Sequence, residues 1–145
     1  MASIHASALV IHTQGVLIFG ESGAGKSSLI LEILASQSHF SKLIGDDRLL
    51  LEAHHGRLIA SSPLAIQGKI EARGLGILEF AFIEKAQIDL LVELSPDPSE
   101  RMPKPQSHEI NGIILPKLTI YQHLPTPQIA KLLTLRIFKS RANEL

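Results

Sequence analysis

The feature that most constrains this chain is a glycine-rich stretch of eight residues near its N-terminus. It fits the pattern G-x-x-x-x-G-K-[ST], and its members are Gly20, Glu21, Ser22, Gly23, Ala24, Gly25, Lys26 and Ser27. The residues before it, 16–19, are wholly apolar and predict a strand buried on both faces, whereas residues 27–37 carry apolar side chains at helical spacing. A strand, a glycine-rich loop and a helix in this order are typical of a phosphate-binding loop.

The residue types of the loop suit phosphate chemistry. Glycines let the backbone turn its N–H groups toward phosphate oxygens, and the N-terminus of the following helix adds partial positive charge. Lys26 is predicted to contact the β- and γ-phosphates of a nucleotide, and the Ser27 hydroxyl is predicted to bind Mg²⁺. The alternative is a glycine-rich turn that caps a helix and binds nothing.

The rest of the chain predicts mostly strands. They are expected at 4–11, 43–44, 86–94, 113–115 and 118–121, the last two separated by Pro116, and a hairpin is expected from 48–52 and 57–61. A proline-rich loop covers 95–107, and a second helix runs from Thr126 to Arg141. The pattern predicts a strand-rich α/β fold with a mixed sheet and few helices. A length of 145 residues predicts one domain, 1–145.

Composition excludes several classes of partner. Basic and acidic residues are equal in number, at 14 each, whereas a nucleic-acid-binding domain needs a basic excess. The absence of cysteine excludes disulfides and thiolate zinc sites. No apolar stretch approaches the roughly 20 residues that span a bilayer, and the first five residues do not resemble a signal peptide. We therefore expect a cytoplasmic protein that binds neither nucleic acid nor membrane.

Acidic residues later in the chain can complete a phosphoryl-transfer site. Asp46 and Asp47 follow a short predicted strand, where one carboxylate could accept a proton from an attacking hydroxyl and the other could bind the metal. Glu71 and Arg73 lie two residues apart, so an extended chain points both to one side, an acid for Mg²⁺ and a guanidinium for phosphate. The alternatives are an Asp-Asp turn and a surface ion pair.

The phosphate loop alone does not identify a reaction. The base-reading motif N-K-x-D of GTPases is missing, because asparagine occurs only at Asn111 and Asn143, and the chain is short for an ATPase motor. Kinase-like transfer to a hydroxyl group remains. Two other functions stay open: a non-catalytic, ATP-sensing interaction module, and a small-molecule kinase, although the arginine-rich lid of such kinases is not visible.

Four motifs in order resemble the catalytic domain of HPr kinase/phosphorylase, over about residues 3–120. They are His5, the loop 20–27, the pair Asp46-Asp47, and E-A-R-G-L-G-I at 71–77, which nearly repeats the family signature E-[IV]-R-G-L-G-I. The resemblance implies a fold like that of PEP carboxykinase. It also implies a protein serine kinase that phosphorylates HPr, or its nitrogen-system relative NPr, with ATP and Mg²⁺, and that in many members reverses this step with inorganic phosphate.

The same resemblance implies roles for individual residues. Lys26 would bind the phosphates, and Ser27 and Glu71 would bind Mg²⁺. Asp46 matches the proton acceptor of the family, and His5 matches a histidine thought to tune that aspartate. Arg101, in the proline-rich loop, matches an arginine that assists the reaction.

Departures from the family pattern modify these expectations. The chain looks like the short α-proteobacterial form, for which we expect neither the N-terminal regulatory domain nor the Gly- and Ala-rich segment that usually follows the signature. The late motif P-V-x-x-G-R-N, tied to dephosphorylation, is replaced by Tyr-Gln-His-Leu-Pro at 121–125. These departures predict weak or absent phosphorolysis. They allow a homo-oligomer but argue against the usual hexamer.

Overall fold

A computed structural model of the chain describes residues 3–36, 39–98 and 101–139. Its strands are β1 (Ser3–Ile4), β2 (Ser7–Ile11), β3 (Gln14–Gly20), β4 (Ser41–Gly45), β5 (Leu49–His54), β6 (Arg57–Ser61), β7 (Lys69–Ala72), β8 (Gly76–Glu79), β9 (Ala86–Gln87), β10 (Leu90–Ser95), β11 (Gln106–Ile110) and β12 (Ile113–Tyr121). The helices are α1 (Lys26–Ala35) and α2 (Thr126–Phe138), and a 3₁₀ turn covers Leu64–Ile66. The predicted helix ends at Gln37 and Arg141 lie outside the described residues. Neither described helix is long and apolar enough to cross a membrane.

The strands of the described residues form three sheets, and the largest of them is mixed, which confirms the prediction. Its strand order is β11-β12-β10-β3-β2-β4. β10 is parallel to β3 and to β12, whereas β2 is antiparallel to both of its neighbours and β11 is antiparallel to β12. β3 and β4 therefore point the same way, on either side of β2. The loops that follow them, which carry the phosphate loop and the two aspartates, meet at one edge of the sheet.

The central strands of this large sheet are buried on both faces, whereas the edge strand β11 is exposed. Val16 and Ile18 of β3 belong to a core that includes Leu29 of α1 and Leu133 of α2. Leu17 points the other way, into a second core shared with the smaller sheet β1-β5-β6-β9. Alternate side chains of β3 thus enter different cores, which confirms the interpretation of the wholly apolar run at 16–19.

Two strands that were predicted as continuous are each divided between sheets. Residues 4–11 form β1, which pairs with β5, and β2, which pairs with β3 and β4. Residues 86–94 form β9, which pairs with β6, and β10, which pairs with β3 and β12. In both places the chain passes from the small sheet to the large one. The prediction of single strands was wrong because hydrophobic periodicity does not reveal which sheet a strand joins.

The prediction that Pro116 interrupts a strand was also wrong. β12 runs through Pro116, but its pairing with β10 begins only at Lys117. Proline has no backbone N–H to donate, and a strand can accommodate it where the neighbouring strand on that side does not pair with it.

β11 was not predicted, although Asn111-Gly112, both at positive φ, is a typical hairpin turn. The same turn at His55-Gly56 closes the hairpin of β5 and β6, which was predicted.

Candidate active site

β3 leads into the phosphate loop at the edge where the parallel strands end. At the start of the loop Gly20 lies so close to β10 that a Cβ atom there would come 2.8 Å from the carbonyl oxygen of Leu94. At its end Gly25 has a φ of 104°, a left-handed conformation that costs glycine little, and α1 begins at the next residue. A side chain at Gly20 would therefore collide with β10, and one at Gly25 would strain the backbone just before α1.

Lys26 is almost fully buried, with 6% of its surface exposed. Its Nζ donates hydrogen bonds to the carbonyl oxygens of Gly20, at 3.0 Å, and Glu21, at 2.9 Å. Burial lowers the pKa of Lys26 because the charged amine loses water, while the carboxylates of Asp47 and Asp46 act in the opposite direction. The amine is held against the loop by neutral oxygens, so an anionic phosphate would be a stronger partner than those it has.

Asp46 follows β4 and lies beneath the loop, 5% exposed. Its Oδ1 accepts a hydrogen bond from the hydroxyl of Ser7 at 2.7 Å. The Ser27 hydroxyl approaches both carboxylate oxygens, at 3.0 Å from Oδ1 and 2.8 Å from Oδ2. Asp46 therefore links β2, β4 and the first turn of α1, and its carboxylate is satisfied by two serines.

Asp47 occupies a different environment from its neighbour. Its φ of 70° is left-handed, and the Arg48 N–H donates to the Asp46 carbonyl oxygen at 2.8 Å, so the three residues make a tight turn. The turn directs the Asp47 carboxylate to His5, whose Nε2 lies 3.0 Å from Oδ1. The histidine thus contacts Asp47, while the hydrogen bonds of the Asp46 side chain among the described residues are those with the two serines.

Ser7 joins the two aspartates and was missed in the sequence. Its fully buried hydroxyl donates to Asp46 and accepts the backbone N–H of Asp47 at 3.1 Å. The only sequence signal was a serine at the start of an apolar strand, two residues after His5. Ser7 therefore holds both the Asp46 carboxylate and the backbone of the turn at Asp47.

A cavity of about 330 Å³ brings most of the predicted site residues together. Its lining comprises His5, Ser7, Ser22, Gly23, Gly25, Lys26, Ser27, Ser28, Leu31, Asp47, Glu71 and Arg73. Glu71 and Arg73, which come from β7 and the turn after it, thus face the same space as the phosphate loop. Asp46 is not in the lining but contacts it through Ser7 and Ser27.

Arg101 lies elsewhere. It lines a second cavity, of about 430 Å³, together with Tyr121, Leu124 and Arg136. None of the phosphate-loop residues contributes to that cavity. The structure therefore separates Arg101 from the other predicted site residues.

The residues of the first cavity fit a magnesium ion bound with a nucleotide. No cluster of three or more His, Asp or Glu side chains suited to a metal occurs in the ranges 3–36, 39–98 and 101–139. Mg²⁺ does not require one, because it commonly takes one or two carboxylates and a hydroxyl together with phosphate oxygens and water. Ser27, Asp47 and Glu71 offer hard oxygen atoms of this kind around one space.

The fold and the cavity define a class: an α/β domain with a phosphate loop of the kinase type. Comparison with known proteins makes the class specific, since residues 1–143 match the model of the HPr serine kinase C-terminal domain. The chain belongs to this family. A solved chain, described as the HPr(Ser) kinase/phosphatase from Coxiella burnetii, superposes with a TM-score of 0.79 at 29% identity, covering 95% of each chain.

Curated relatives agree with this family. An HPr kinase/phosphorylase from Limosilactobacillus reuteri is 34% identical over 131 residues, which is 81% of this chain and 40% of the relative. Another, from Clostridium tetani, is 40% identical over 76 residues, 52% of this chain and 24% of the relative. The chain thus spans less than half the length of these relatives.

Proposed function

We propose that this chain transfers the γ-phosphoryl group of ATP to a serine of an HPr-type phosphocarrier protein in the cytoplasm, with Mg²⁺ as cofactor. The observation that carries the proposal is the shared cavity, where the phosphate loop, a carboxylate paired with histidine, an acid and a guanidinium face one another. Phosphoryl transfer requires mainly positioning and charge stabilisation, and these groups supply both. The names of the relatives give the acceptor class.

In this proposal the cations of the cavity bind the nucleotide. Lys26 and Arg73 contact phosphate oxygens, and the backbone N–H groups of the loop surround them. Ser27 and Glu71 hold Mg²⁺, which neutralises phosphate charge when it is bound. Ser27 can retain its hydrogen bond to Asp46 in this role, because a hydroxyl oxygen has lone pairs free while its proton is donated.

We assign the proton acceptor to Asp47 rather than to Asp46, to which the resemblance pointed. Asp47 lines the cavity and is paired with His5, whereas Asp46 is buried and already accepts hydrogen bonds on both oxygens. A general base must reach the proton that it removes, and only Asp47 of the two faces the space where an acceptor hydroxyl can enter. Asp46 instead positions Ser27 and the loop.

The proposed transfer forms one P–O bond and breaks another. The serine oxygen of the acceptor forms a bond to the γ-phosphorus, the bond from that phosphorus to the β–γ bridging oxygen breaks, and ADP leaves. The serine proton passes to the Asp47 carboxylate. His5, 3.0 Å from that carboxylate, keeps it oriented toward the cavity.

The test is direct. The purified chain is incubated with γ-labelled ATP, Mg²⁺ and HPr from the same organism, and the label is mapped by mass spectrometry. We expect label on a serine of HPr. Tight ATP binding without transfer to HPr would contradict the kinase and favour the ATP-sensing module.

We also propose that the reverse reaction is weak. The segment 121–125 replaces the motif tied to dephosphorylation, and Tyr121 and Leu124 line the second cavity rather than the phosphate-loop cavity. Bringing inorganic phosphate up to a phosphoserine requires additional donors, because two anions must approach each other. Phosphoserine-HPr mixed with the chain, Mg²⁺ and phosphate should release pyrophosphate much more slowly than the forward step proceeds. Equal rates would contradict this proposal.

A further inference from the structure

The hairpin of β7 and β8 has one buried and one exposed face. It forms a two-stranded sheet of its own, in which Ile70 pairs with Leu78 and Glu71 with Ile77. Ile70 is buried in the core that contains α1. Directly paired residues project to the same side of a sheet, so Ile77 lies on the face of Glu71, opposite to Ile70. Glu71 lines the phosphate-loop cavity, so the face of the hairpin that carries Ile77 is also the face that contributes to this cavity.

The exposed face presents apolar side chains to solvent. Ile77 is 69% exposed, and Leu75, in the turn that joins the two strands, is 77% exposed. Single exposed apolar residues are common, but Leu75 and Ile77 lie two residues apart on the same hairpin that supplies Glu71 and Arg73 to the polar cavity. Arg73 adjoins them on one side, and the paired Lys69 and Glu79 lie at the base of the hairpin. An apolar centre with a charged rim is typical of a protein interface.

We propose that Leu75 and Ile77 form a docking edge for the protein acceptor, which contacts it through an apolar patch next to the phosphorylated serine. The proposal rests on the proposed function and specifies its substrate class. A small-molecule acceptor would need only the polar lining of the cavity. A folded protein that delivers a serine to Asp47 must also cover the rim, and the hairpin is the part of the rim that carries both Glu71 and Arg73.

The experiment compares Ile77→Ser with a matched control, Ile114→Ser. Ile114 is 67% exposed on β12, which lies toward the other end of the large sheet from β2 and β4. Steady-state phosphorylation of HPr gives kcat and KM, and calorimetry gives the affinity for ATP. Ile77→Ser should raise the KM for HPr by about five- to thirtyfold while kcat and ATP affinity stay at wild-type values. Ile114→Ser should change none of the three.

Other results would contradict the docking edge without contradicting the proposed kinase activity. An unchanged KM for Ile77→Ser overturns the docking edge and leaves the kinase intact. Dissociation of an oligomer in sedimentation, with KM unchanged, identifies the edge as a contact between copies of the chain and also overturns the proposal. If wild-type chain transfers nothing to HPr, binding of HPr is measured by calorimetry for wild type and Ile77→Ser. Binding lost only in the variant supports the docking edge, and any other result overturns it.

A second variant guards against a folding defect. Leu75→Ser removes an apolar side chain from the turn rather than from a strand, so it does not depend on strand propensity at Ile77. Thermal unfolding identifies which variants are folded. A folded Leu75→Ser should raise the KM for HPr in the same direction, and a wild-type KM in this variant would overturn the proposal that both residues contact the acceptor.

Discussion

The phosphate-loop cavity and the second cavity, which Arg101 and Arg136 line, differ in the kinds of residues that line them. The first is lined by residues from several distant segments, joined by hydrogen bonds such as those of Asp46 with Ser7 and Ser27. The second is lined mainly by apolar side chains around Arg101 and Arg136. Both lie near carboxyl ends of parallel strands, yet only the first combines cations, carboxylates and a glycine-rich loop. Position at this edge of a sheet is therefore not enough to define a phosphoryl-transfer site.

The largest expected effect separates the two aspartates within the first cavity. Asp47→Asn keeps the size of the side chain but removes the proposed proton acceptor, so the rate of HPr phosphorylation should fall by about 10²–10⁴ with ATP binding preserved. Single-turnover transfer and calorimetry measure the two quantities. Asp46→Asn should mainly lower stability, by roughly 1–3 kcal/mol, because the buried Ser7 hydroxyl and the partly buried Ser27 hydroxyl lose a charged partner. A folded, ATP-binding Asp46→Asn that transfers no phosphate, beside an active Asp47→Asn, would reverse the assignment.

The second effect compares a cation from each cavity. Lys26→Met preserves much of the buried aliphatic side chain but removes the ammonium group, so ATP affinity should fall roughly 10- to 100-fold. Arg136→Met removes a cation from the second cavity and should leave ATP affinity unchanged. Calorimetric titration measures both. Equal weakening in the two variants would place part of the nucleotide in the second cavity.

The third effect compares two buried serines at strand ends. Ser7→Ala removes a donor to a carboxylate and an acceptor for the Asp47 N–H, so the free energy of unfolding should fall by about 1–3 kcal/mol. Ser95→Ala removes an acceptor for the Asp97 N–H at the end of β10, and its cost should be only about 0.5–1.5 kcal/mol. Urea denaturation measures both. Ser7→Ala should also lower kcat, whereas equal kcat in the two variants would exclude a positioning role for Ser7.

The smallest expected effect concerns Arg101. Arg73→Gln should lower kcat/KM by about tenfold or more, because it removes the charge-assisted contact to phosphate that we propose for Arg73. Arg101→Gln should change kcat/KM by less than about threefold, since its side chain lines the other cavity. Steady-state kinetics with HPr measure both. A loss with Arg101→Gln as large as with Arg73→Gln would mean that the proline-rich loop brings Arg101 to the phosphates during the reaction.

Much of the fold followed from the sequence because its signals are local. The strand, loop and helix around the phosphate loop depend on an apolar run, on glycines and on helical spacing, all within about 20 residues of one another. The hairpin of β5 and β6 depends on its own turn residues in the same way. The family was identifiable for a similar reason, since its motifs can be recognised segment by segment.

The tertiary structure alone decided which side chains meet. Ser7 and Asp46 are 39 residues apart and His5 and Asp47 are 42 apart, so no local pattern links them. The sequence alone does not distinguish the roles of the adjacent aspartates Asp46 and Asp47. In the structure, the left-handed backbone at Asp47 directs its carboxylate toward His5, while the Asp46 carboxylate lies beneath the loop. Arg101 could not be placed for the same reason. A side chain's position depends on how distant strands pack, and that packing is determined by the whole core rather than by the residue's neighbours in the chain.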